Sequence, residues 1–557
     1  MTETTGNRMG DRSGYPLRTL FWETTLRCNA YCEFCGSRCG TIASDEAESS
    51  YIRRALAELA EAYDPHMIMI NVTGGEPLLR RDLFSVMEYA ASLGFPWGMV
   101  TNGTLIDDDA VADMRRSGMK TISVSLDGME KMHNAMRRLP DGFGKAVKAI
   151  RRLKEANFLD HIQVTTVVSR KNISELPKLY EFLLELEPDS WRVTPVDPIG
   201  RAKDKTADLC LGKKELQQYF DFMSAYQFNG KLKITASCSH YFGKFDNLYR
   251  ENHFHCETGR HVASILANGD IYVCPNVPRI PALIQGNVRK DSLVDIWENG
   301  FQWFRDENRC MNEKCSRCEA WPRCGGDSLH TWDFDRRLPL FCFRDYFPEA
   351  VKAEKFEIPR EMISLLKADG PMKGIRISYG STSGRTIVFT PSAAGEFFHY
   401  FAWGKRHPRN RHELMAALAG HRSGDAAYVE CLIPVFLEKR GEKEAWFSEQ
   451  SYHKVLEEIA IMNTRRNDVD EIYQLFEEDF ELLGFAHTHP NELTPALSRP
   501  DMELHQRLGK GMGDFQISLL LNPQTKELCS FWDSPYVPAD LHMLINAEDG
   551  ITESGYP

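Results

Sequence analysis

The chain has 557 residues, 42% of them hydrophobic and 26% charged, which is typical of globular proteins and too long for one ordinary core. A net charge of -12, from 67 Lys+Arg against 79 Asp+Glu, argues against binding to the phosphate backbone of nucleic acids. The N-terminus lacks the apolar core of a signal peptide, and no apolar run reaches the roughly 18 residues of a membrane span. We therefore expect a cytoplasmic protein of several domains, with neither nucleic acid nor membrane as a partner.

Strand-like and helix-like segments alternate after residues 1–17, which we expect to form a disordered tail. The predicted strands lie over 20–26, 67–73, 97–101, 121–126, 162–168 and 191–195. The predicted helices lie near 47–62, 81–93, 106–117, 143–156, 174–186 and 213–227. Six βα units are too few for a closed eight-stranded barrel, so the pattern predicts an α/β fold with an open, TIM-like (βα)6 partial barrel. Active sites of such barrels lie at the carboxyl ends of the strands.

Three cysteines, Cys28, Cys32 and Cys35, follow the first predicted strand. Three thiolates at this spacing can hold three irons of a [4Fe-4S] cluster and leave the fourth iron open to an outside ligand. Taken alone, the triplet is equally compatible with a zinc knuckle or with buried thiols. The 15 cysteines cluster at 28–39 and 256–342, which in a reducing compartment favours metal ligation over disulfides.

The spacing Cys-x3-Cys-x-aromatic-Cys resembles that of the radical S-adenosylmethionine (radical SAM) superfamily. The segment Val72-Thr-Gly-Gly-Glu-Pro77 is similar to the motif by which that family binds the amino group of SAM, and polar residues end the next two predicted strands. Each motif alone would be an ordinary turn or core feature, but they occur in family order over residues 18–235. The resemblance implies that these residues contact SAM: Phe34, Gly74, Gly75, Glu76, Asn102, Ser125 and Asp127.

The same resemblance implies a reaction. SAM would chelate the open iron, and a reductant such as ferredoxin or flavodoxin would supply the electron that cleaves SAM. The resulting 5′-deoxyadenosyl radical would then abstract a hydrogen atom from the substrate.

Residues 236–349 resemble the SPASM extension of radical SAM peptide and protein maturases, which carries auxiliary [4Fe-4S] clusters. The resemblance implies that one complete cluster has four ligands: Cys315, Cys318, Cys324 and Cys342. A zinc site is the alternative for these four cysteines.

A further auxiliary cluster would use Cys256, Cys274 and Cys310, or would be absent, because Ser328 stands where the family has a cysteine. We therefore expect two or three clusters. Asn276 and its preceding proline follow Cys274 where the sulfatase-maturing branch has a catalytic Asp, which argues against that activity. The remaining cysteines are expected to pack as small apolar residues: Cys39, Cys210, Cys238, Cys431 and Cys529.

A charged segment with prolines over 350–372 is expected to be a linker, and a new pattern begins after it. Strands are predicted over 375–378, 386–389 and 429–435, and helices over 391–403 and from Glu413 to Gly420. Further along, His487 and His489 would share one face of a strand. With Asp501 they could bind one ion and leave a position for water, as a catalytic zinc requires.

The pattern His-x-His-Pro-x7-Ser-x2-Asp resembles the JAMM (MPN+) metalloprotease motif, whereas an isolated pair of histidines would usually be structural. The resemblance implies an α/β domain over residues 373–550 that binds Zn2+. It also implies that an upstream glutamate accepts a proton from zinc-bound water and that Ser498 helps to stabilise the oxyanion. Glu413 on its predicted helix is assigned as this glutamate, with Glu430 as the alternative.

Together these resemblances favour a bifunctional maturase. Its radical domain would modify a peptide or small protein, such as a leader-bearing precursor or a ubiquitin-like protein, and its JAMM domain would hydrolyse a peptide or isopeptide bond of the same or a linked substrate. The alternative is an isopeptidase or sulfur-carrier processing protein whose radical domain acts on a small molecule. A noncatalytic scaffold is disfavoured because both ligand sets are present.

Overall fold

A computed structural model describes nearly all of residues 15–348 and, beyond them, mainly strands. The described residues are 15–41, 45–226, 232–237, 239–243, 254, 256–306, 308–318, 320–348, 376–377, 385–401, 414–435, 439–440, 445–446, 452–453, 455–456, 458–460, 462–463, 479–489, 517–523, 527–532, 537–538 and 540–543. The chain forms two compact units, one of Met1–Ser224 with Ile234–Lys352 and the other of Ala225–Lys233 with Ala353–Pro557. Among the described residues, no helix combines the length and apolar character needed to cross a membrane.

A ten-stranded sheet organises the first unit. Its strands are β1 (Thr19–Glu23), β2 (Met69–Thr73), β3 (Trp97–Thr101), β4 (Thr121–Ser125), β5 (His161–Val168), β6 (Ser190–Pro195), β7 (Lys233–Ala236), β8 (Val262–Ile265), β9 (Asp270–Tyr272) and β10 (Gly286–Asn287). A separate antiparallel pair consists of β11 (Trp332–Asp333) and β12 (Leu338–Pro339).

Helices follow the strands of this sheet. The α-helices are α1 (Ser49–Ala62), α2 (Leu83–Ser92), α3 (Asp108–Arg116), α4 (Glu130–Arg137), α5 (Gly142–Ala156), α6 (Leu176–Leu186), α7 (Thr206–Leu209), α8 (Lys213–Tyr226), α9 (Leu293–Asn299), α10 (Gln302–Arg305), α11 (Trp321–Cys324) and α12 (Phe343–Tyr346). Short 3-10 helices span Pro65–Met67, Pro77–Leu79, Ile173–Glu175, Gly200–Lys205, Pro281–Leu283, Cys315–Arg317 and Leu329–Thr331.

The strand order is β10-β9-β8-β1-β2-β3-β4-β5-β6-β7, with β10 and β7 at the two ends. Strands β1 to β6 pair in parallel with their neighbours, which confirms the partial barrel expected from the sequence. The cysteine-rich segment extends this sheet, because β8 pairs in parallel with β1 and then antiparallel with β9. The pairing of β8 with β1 and the helix α4 were not predicted.

The two faces of the parallel strands differ in chemistry. Residues in register alternate between an apolar face and a mostly polar face, as the period of two of a strand requires. The apolar face is buried and includes Leu20, Trp22, Ile70, Val72, Trp97, Met99, Ile122, Val124, Ile162, Val164, Trp191 and Val193. The opposite face includes Asn71, Thr73, Val100, Ser123, Ser125, Gln163, Thr165, Arg192 and Thr194. On this polar face Val100 is 40% exposed, so part of it is accessible.

A nine-stranded sheet forms the second unit. Its strands are β13 (Arg376–Ile377), β14 (Thr386–Phe389), β15 (Met415–Ser423), β16 (Ala426–Val435), β19 (Glu481–Thr488), β20 (Ile517–Asn522), β21 (Glu527–Trp532), β22 (Val537–Pro538) and β23 (Asp540–Met543). A small antiparallel pair comprises β17 (Lys439–Arg440) and β18 (Ala445–Trp446), and helix α13 spans Pro391–Tyr400.

The helix predicted from Glu413 to Gly420 is wrong over its described part, because Met415–Ser423 is strand β15. Ala416 and Leu418 pack into one hydrophobic cluster with helix α13, whereas Met415 and Ala417 pack into a second cluster that includes Phe485. Consecutive side chains on opposite sides are the geometry of a strand. A central strand with both faces buried has a continuous apolar sequence, which resembles a buried helix.

The predicted domain boundaries stay predictions. The linker expected over 350–372 and residues 1–14 of the expected tail lie outside the described residues.

Candidate functional site

Cys28, Cys32 and Cys35 lie on the loop that follows β1, at the carboxyl edge of the parallel sheet. The loop is closed at its base, because the amide of Cys28 donates to the carbonyl of Gly40 at 2.8 Å. Arg201 holds it from another side by donating to the carbonyl oxygens of Cys32 at 2.6 Å and Cys39 at 2.9 Å. The backbone of the predicted iron-binding loop is therefore fixed by hydrogen bonds.

The thiols of this loop have different acidities. Burial raises the pKa of Cys28, and it raises that of Cys32 to about 11. A hydrogen bond from the Cys39 thiol, helped by the charge of Arg201, outweighs burial and lowers the pKa of Cys35 to about 6. Cys39 is buried as expected, but it contacts a predicted iron ligand rather than only apolar neighbours.

Gly74 and Gly75 lie directly against the strand end that leads to the cysteine loop. Gly75 donates to the carbonyl of Thr25 at 2.7 Å, and a Cβ on Gly75 would lie 2.0 Å from the carbonyl oxygen of Arg27. Gly74 has a φ of 136°, a conformation that side chains rarely adopt. Only glycine fits at these two positions, so the motif brings Glu76 next to the cysteine loop.

Glu76 is fully buried and bound by its neighbours. Its carboxylate accepts hydrogen bonds from the Thr101 hydroxyl at 2.8 Å and the Asn102 amide at 2.9 Å. The Asn102 side chain in turn donates to Asn29 on the cysteine loop at 2.7 Å. Burial raises the pKa of Glu76. The ends of β2 and β3 and the cysteine loop thus form one hydrogen-bonded group, and the SAM contacts of Glu76 and Asn102 stay predictions.

Asp127 is also fully buried, and it pairs with Arg137 at 2.6 Å. The same guanidinium lies 3.9 Å from the sulfur of Cys32 and 5.6 Å from the ring centre of Phe34. Asp127 therefore positions a cation beside the predicted cluster, in addition to its predicted contact with SAM. Ser125 is buried at the end of β4, and its role stays a prediction.

Arg137 and Arg201 were missed by sequence reasoning. Arg137 lies on the unpredicted helix α4, and Arg201 is distant in sequence from the carbonyls that it binds. No spacing pattern marks such residues.

All four cysteines of the predicted complete auxiliary cluster line one cavity of about 40 Å³: Cys315, Cys318, Cys324 and Cys342. They come from the short helix Cys315–Arg317, the end of α11 and the start of α12. Burial raises the pKa of Cys315, Cys324 and Cys342, so a metal bound there would release protons from these thiols. This arrangement fits a site with four thiolate ligands.

Cys256 and Cys310, two of the cysteines considered for a further cluster, both lie near the segment 326–329. The Leu329 amide, directly after Ser328, donates to the sulfur of Cys256 at 3.5 Å. A Cβ on Gly326 would lie 2.3 Å from that of Cys310. Burial, with a contribution from Cys256, raises the pKa of Cys310 to about 12. The participation of Cys274 stays a prediction.

Across the described residues, no three His, Cys, Asp or Glu side chains already converge as they would around a bound metal ion.

In the second unit, His487 is the penultimate residue of β19 and His489 directly follows the strand, with ring centres 5.4 Å apart. Both side chains are buried. Between them, the Thr488 amide donates to the carbonyl of Leu414 at 2.9 Å. Leu414 is the residue that follows Glu413 in the chain.

The other members of the predicted zinc site, Glu413, Ser498 and Asp501, lie outside the described residues. Glu430, the alternative glutamate, lies on β16, where its carboxylate is 2.9 Å from Nε2 of His421.

Two domain models match the chain. Residues 22–183 match the radical SAM superfamily, and residues 256–319 match SPASM, an iron-sulfur cluster-binding domain. The chain contains a radical SAM domain and a SPASM domain. These two domains imply [4Fe-4S] clusters and SAM as cofactors, whereas the JAMM-type domain and its zinc stay predictions.

The proteins to which this chain is similar have names that describe different activities. The AdoMet-dependent heme synthase of Methanosarcina barkeri is 27% identical over 328 residues, which are 56% of this chain and 90% of that protein. The mycofactocin maturase MftC of Mycolicibacterium smegmatis is 27% identical over 324 residues, or 58% of this chain and 80% of that protein. A solved structure of anSMEcpe with bound AdoMet and the Kp18Cys peptide has the same fold, with a TM-score of 0.50 and 20% identity over 63% of this chain and 100% of that chain.

In iron-free protein near neutral pH, Cys35 should react with iodoacetamide before Cys32. A thiol with a pKa of about 6 is mostly thiolate there, whereas one with a pKa of about 11 is mostly protonated. Peptide mass spectrometry after brief labelling measures the order. Cys39→Ala should slow labelling of Cys35, because it removes the hydrogen bond that lowers the pKa of that thiol. Faster reaction at Cys32 than at Cys35 would contradict the described loop.

Proposed function

We propose that the radical SAM and SPASM domains form a maturase that modifies a side chain or backbone carbon of a peptide or small protein. The observation that carries this proposal is the hydrogen-bonded group at the carboxyl edge of the sheet, where the cysteine loop, Glu76 and Asn102 meet. This edge borders a polar strand face that is partly accessible. A site for a reactive cofactor therefore adjoins a surface on which a polar substrate can bind.

In this proposal Cys28, Cys32 and Cys35 hold a [4Fe-4S] cluster, and the Gly74-Gly75 turn and Glu76 bind SAM. When bound, the cluster and SAM supply the radical that removes a hydrogen atom from the substrate. Arg201 fixes the loop through carbonyl oxygens and leaves the thiols available for iron. Arg137 places a positive charge 3.9 Å from the sulfur of Cys32, where it would partly compensate the negative charge of the thiolates.

The polar face of the sheet offers partners to a peptide. Ser123 and Thr165 are joined by a hydrogen bond of 2.7 Å, and Arg192 in register with Thr165 is exposed. Hydroxyl and guanidinium groups can bind backbone carbonyls and carboxylates of a substrate. The similarity to a mycofactocin maturase supports a peptide substrate.

A second candidate substrate is a tetrapyrrole, which the 27% identity with an AdoMet-dependent heme synthase over 90% of that protein favours. Arg192 would then bind a propionate carboxylate in place of a peptide carboxylate. The two substrate classes differ in size and in absorbance, so binding experiments with peptides and with iron porphyrins distinguish them.

We further propose that the second unit is a JAMM-type zinc hydrolase that cleaves a peptide or isopeptide bond of the same or a linked substrate. His487, His489 and Asp501 would hold Zn2+, Glu413 would accept a proton from the metal-bound water, and Ser498 would stabilise the oxyanion. The proximity of Leu414 to Thr488, between the two histidines, supports Glu413 as the glutamate. The alternative, Glu430, already faces His421.

Replacing Cys28, Cys32 and Cys35 together by Ala should lower the iron content of anaerobically reconstituted protein by about four irons per chain, because one cubane cluster is lost. Iron bound by Cys315, Cys318, Cys324 and Cys342 should remain. A matched control replaces Cys431 and Cys529, two cysteines of the second unit, and should leave the iron content unchanged. Equal iron in the triple variant and the unsubstituted protein would overturn the assignment of the first cluster.

Glu413→Gln should keep about one zinc per chain and slow hydrolysis of peptide or isopeptide substrates by a factor on the order of 10² to 10⁴, because a general base is lost and the metal ligands remain. His489→Ala should lose the zinc itself, since two ligands seldom retain a catalytic ion. Metal analysis and hydrolysis rates measure both effects, and Glu430→Gln serves as the control that should keep zinc and activity. Loss of activity in Glu430→Gln with full activity in Glu413→Gln would reverse the glutamate assignment. Unchanged hydrolysis in every variant would remove the proposed hydrolase.

A further inference from the structure

Four titratable side chains form a buried chain of polar contacts in the first unit. Nε2 of His240 lies 2.8 Å from a carboxylate oxygen of Asp197, and its Nδ1 lies 2.9 Å from a carboxylate oxygen of Asp327. The other oxygen of Asp197 lies 3.0 Å from Nε2 of His330. The second oxygen of Asp327 accepts a hydrogen bond from the Tyr241 amide at 2.8 Å. We refer to Asp197, His240, Asp327 and His330 as the His240 network.

The contacts of His240 indicate that its ring carries a positive charge. A neutral imidazole has one N–H, so it would place a bare nitrogen against the oxygen of one carboxylate. A protonated ring donates through Nδ1 to Asp327 and at the same time places a positively charged N–H 2.8 Å from the carboxylate of Asp197. Burial alone would lower the pKa of His240, but the two carboxylates raise it to about 9.

The network reaches the cavity of the four cysteines. Asp327 lines that cavity, and its amide donates to the carbonyl of Cys324 at 2.9 Å. Phe341 also lines the cavity, and its ring centre lies 4.1 Å from that of His240. The His240 side chain is only 3% exposed, so water screens its charge weakly.

We propose that the His240 imidazolium is a fixed positive charge that compensates Asp327 at the wall of the cavity and thereby sets the reduction potential of the auxiliary cluster held there. The potential of an iron-sulfur cluster depends on the net charge and hydrogen bonds around it. An uncompensated carboxylate beside the cluster would disfavour reduction and lower the reduction potential. A nearby cation offsets this effect. The inference rests on the proposed cluster ligands Cys315, Cys318, Cys324 and Cys342.

At its other end, the network meets the loop that carries Arg201. Asp197 follows β6, and Arg201, four residues later, binds the carbonyl oxygens of Cys32 and Cys39. The same loop thus contacts both the cysteine triplet and the charged network beside the auxiliary cavity. His240 is a positioning residue in this scheme, because it acts through Asp327.

The test is a redox titration of the reconstituted full chain, followed by electron paramagnetic resonance of the reduced auxiliary cluster. Cys28, Cys32 and Cys35, together with Cys256 of the further cluster considered above, are first replaced by Ala so that the signals of other clusters do not overlap. In this background His240→Gln should move the midpoint potential to more negative values, because a cation is lost. Asp327→Asn should move it to more positive values, because an anion is lost.

Opposite signs distinguish a charge effect from general structural damage, which has no reason to change sign between the two variants. Asp108→Asn is the matched control, because its carboxylate side chain is 88% exposed, and it should leave the potential unchanged. Iron analysis accompanies each variant, since about four irons per chain show that the cluster is present.

Shifts of the same sign in His240→Gln and Asp327→Asn, or no shift in either variant at full iron content, would overturn the inference and leave the ligand assignment intact.

If His240→Gln fails to bind iron, Asp197→Asn is measured in its place. The midpoint potential should then rise in both aspartate variants, and it should rise more in Asp327→Asn. The reverse order would overturn the inference. A parent protein without iron at the four cysteines would overturn the ligand assignment and the inference together.

Discussion

The close approach of two backbone segments at the carboxyl edge of the sheet is the constraint on which the first site depends. Gly75 lies so near the carbonyl of Arg27 that any side chain would collide with it. This approach joins the end of β2 to the base of the cysteine loop, and Glu76 then reaches the end of β3. Parallel pairing brings these strand ends to one edge, and two glycines allow them to touch.

Two buried acidic side chains near the cysteine loop, each held by hydrogen bonds, are the second organising feature. Glu76 is bound by Thr101 and Asn102, whereas Asp127 is bound by Arg137. Removing Arg137 would leave the Asp127 carboxylate as an uncompensated buried charge, which typically costs about 3 to 5 kcal/mol. These pairs therefore specify the geometry around the cysteines, and the positive charges of Arg137 and Arg201 offset the thiolates that iron binding would create.

Sequence reasoning found the parts of the site that local pattern determines. The strands of the parallel sheet follow from alternating apolar residues and turn residues, and β3 occupies the predicted range. Cysteine spacing identified the triplet, and the resemblance to SPASM domains implied the four cysteines that line one cavity. Long-range contacts were not accessible in this way. The pairing of β8 with β1, the position of Arg201 over the cysteine loop and the His240 network join residues far apart in sequence. Strand β15 was mistaken for a helix because both of its faces are buried. Its sequence is therefore continuously apolar and lacks the alternation of apolar and polar residues that marks a strand.

The central claim is that the radical SAM domain cleaves SAM reductively at the carboxyl edge of its sheet. The most direct measurement incubates the anaerobically reconstituted full chain with SAM and dithionite and quantifies 5′-deoxyadenosine by liquid chromatography with mass spectrometry. The account predicts that 5′-deoxyadenosine and methionine form together, and only when the reductant is present. Intact SAM in a reduced protein that carries its full complement of iron would contradict it.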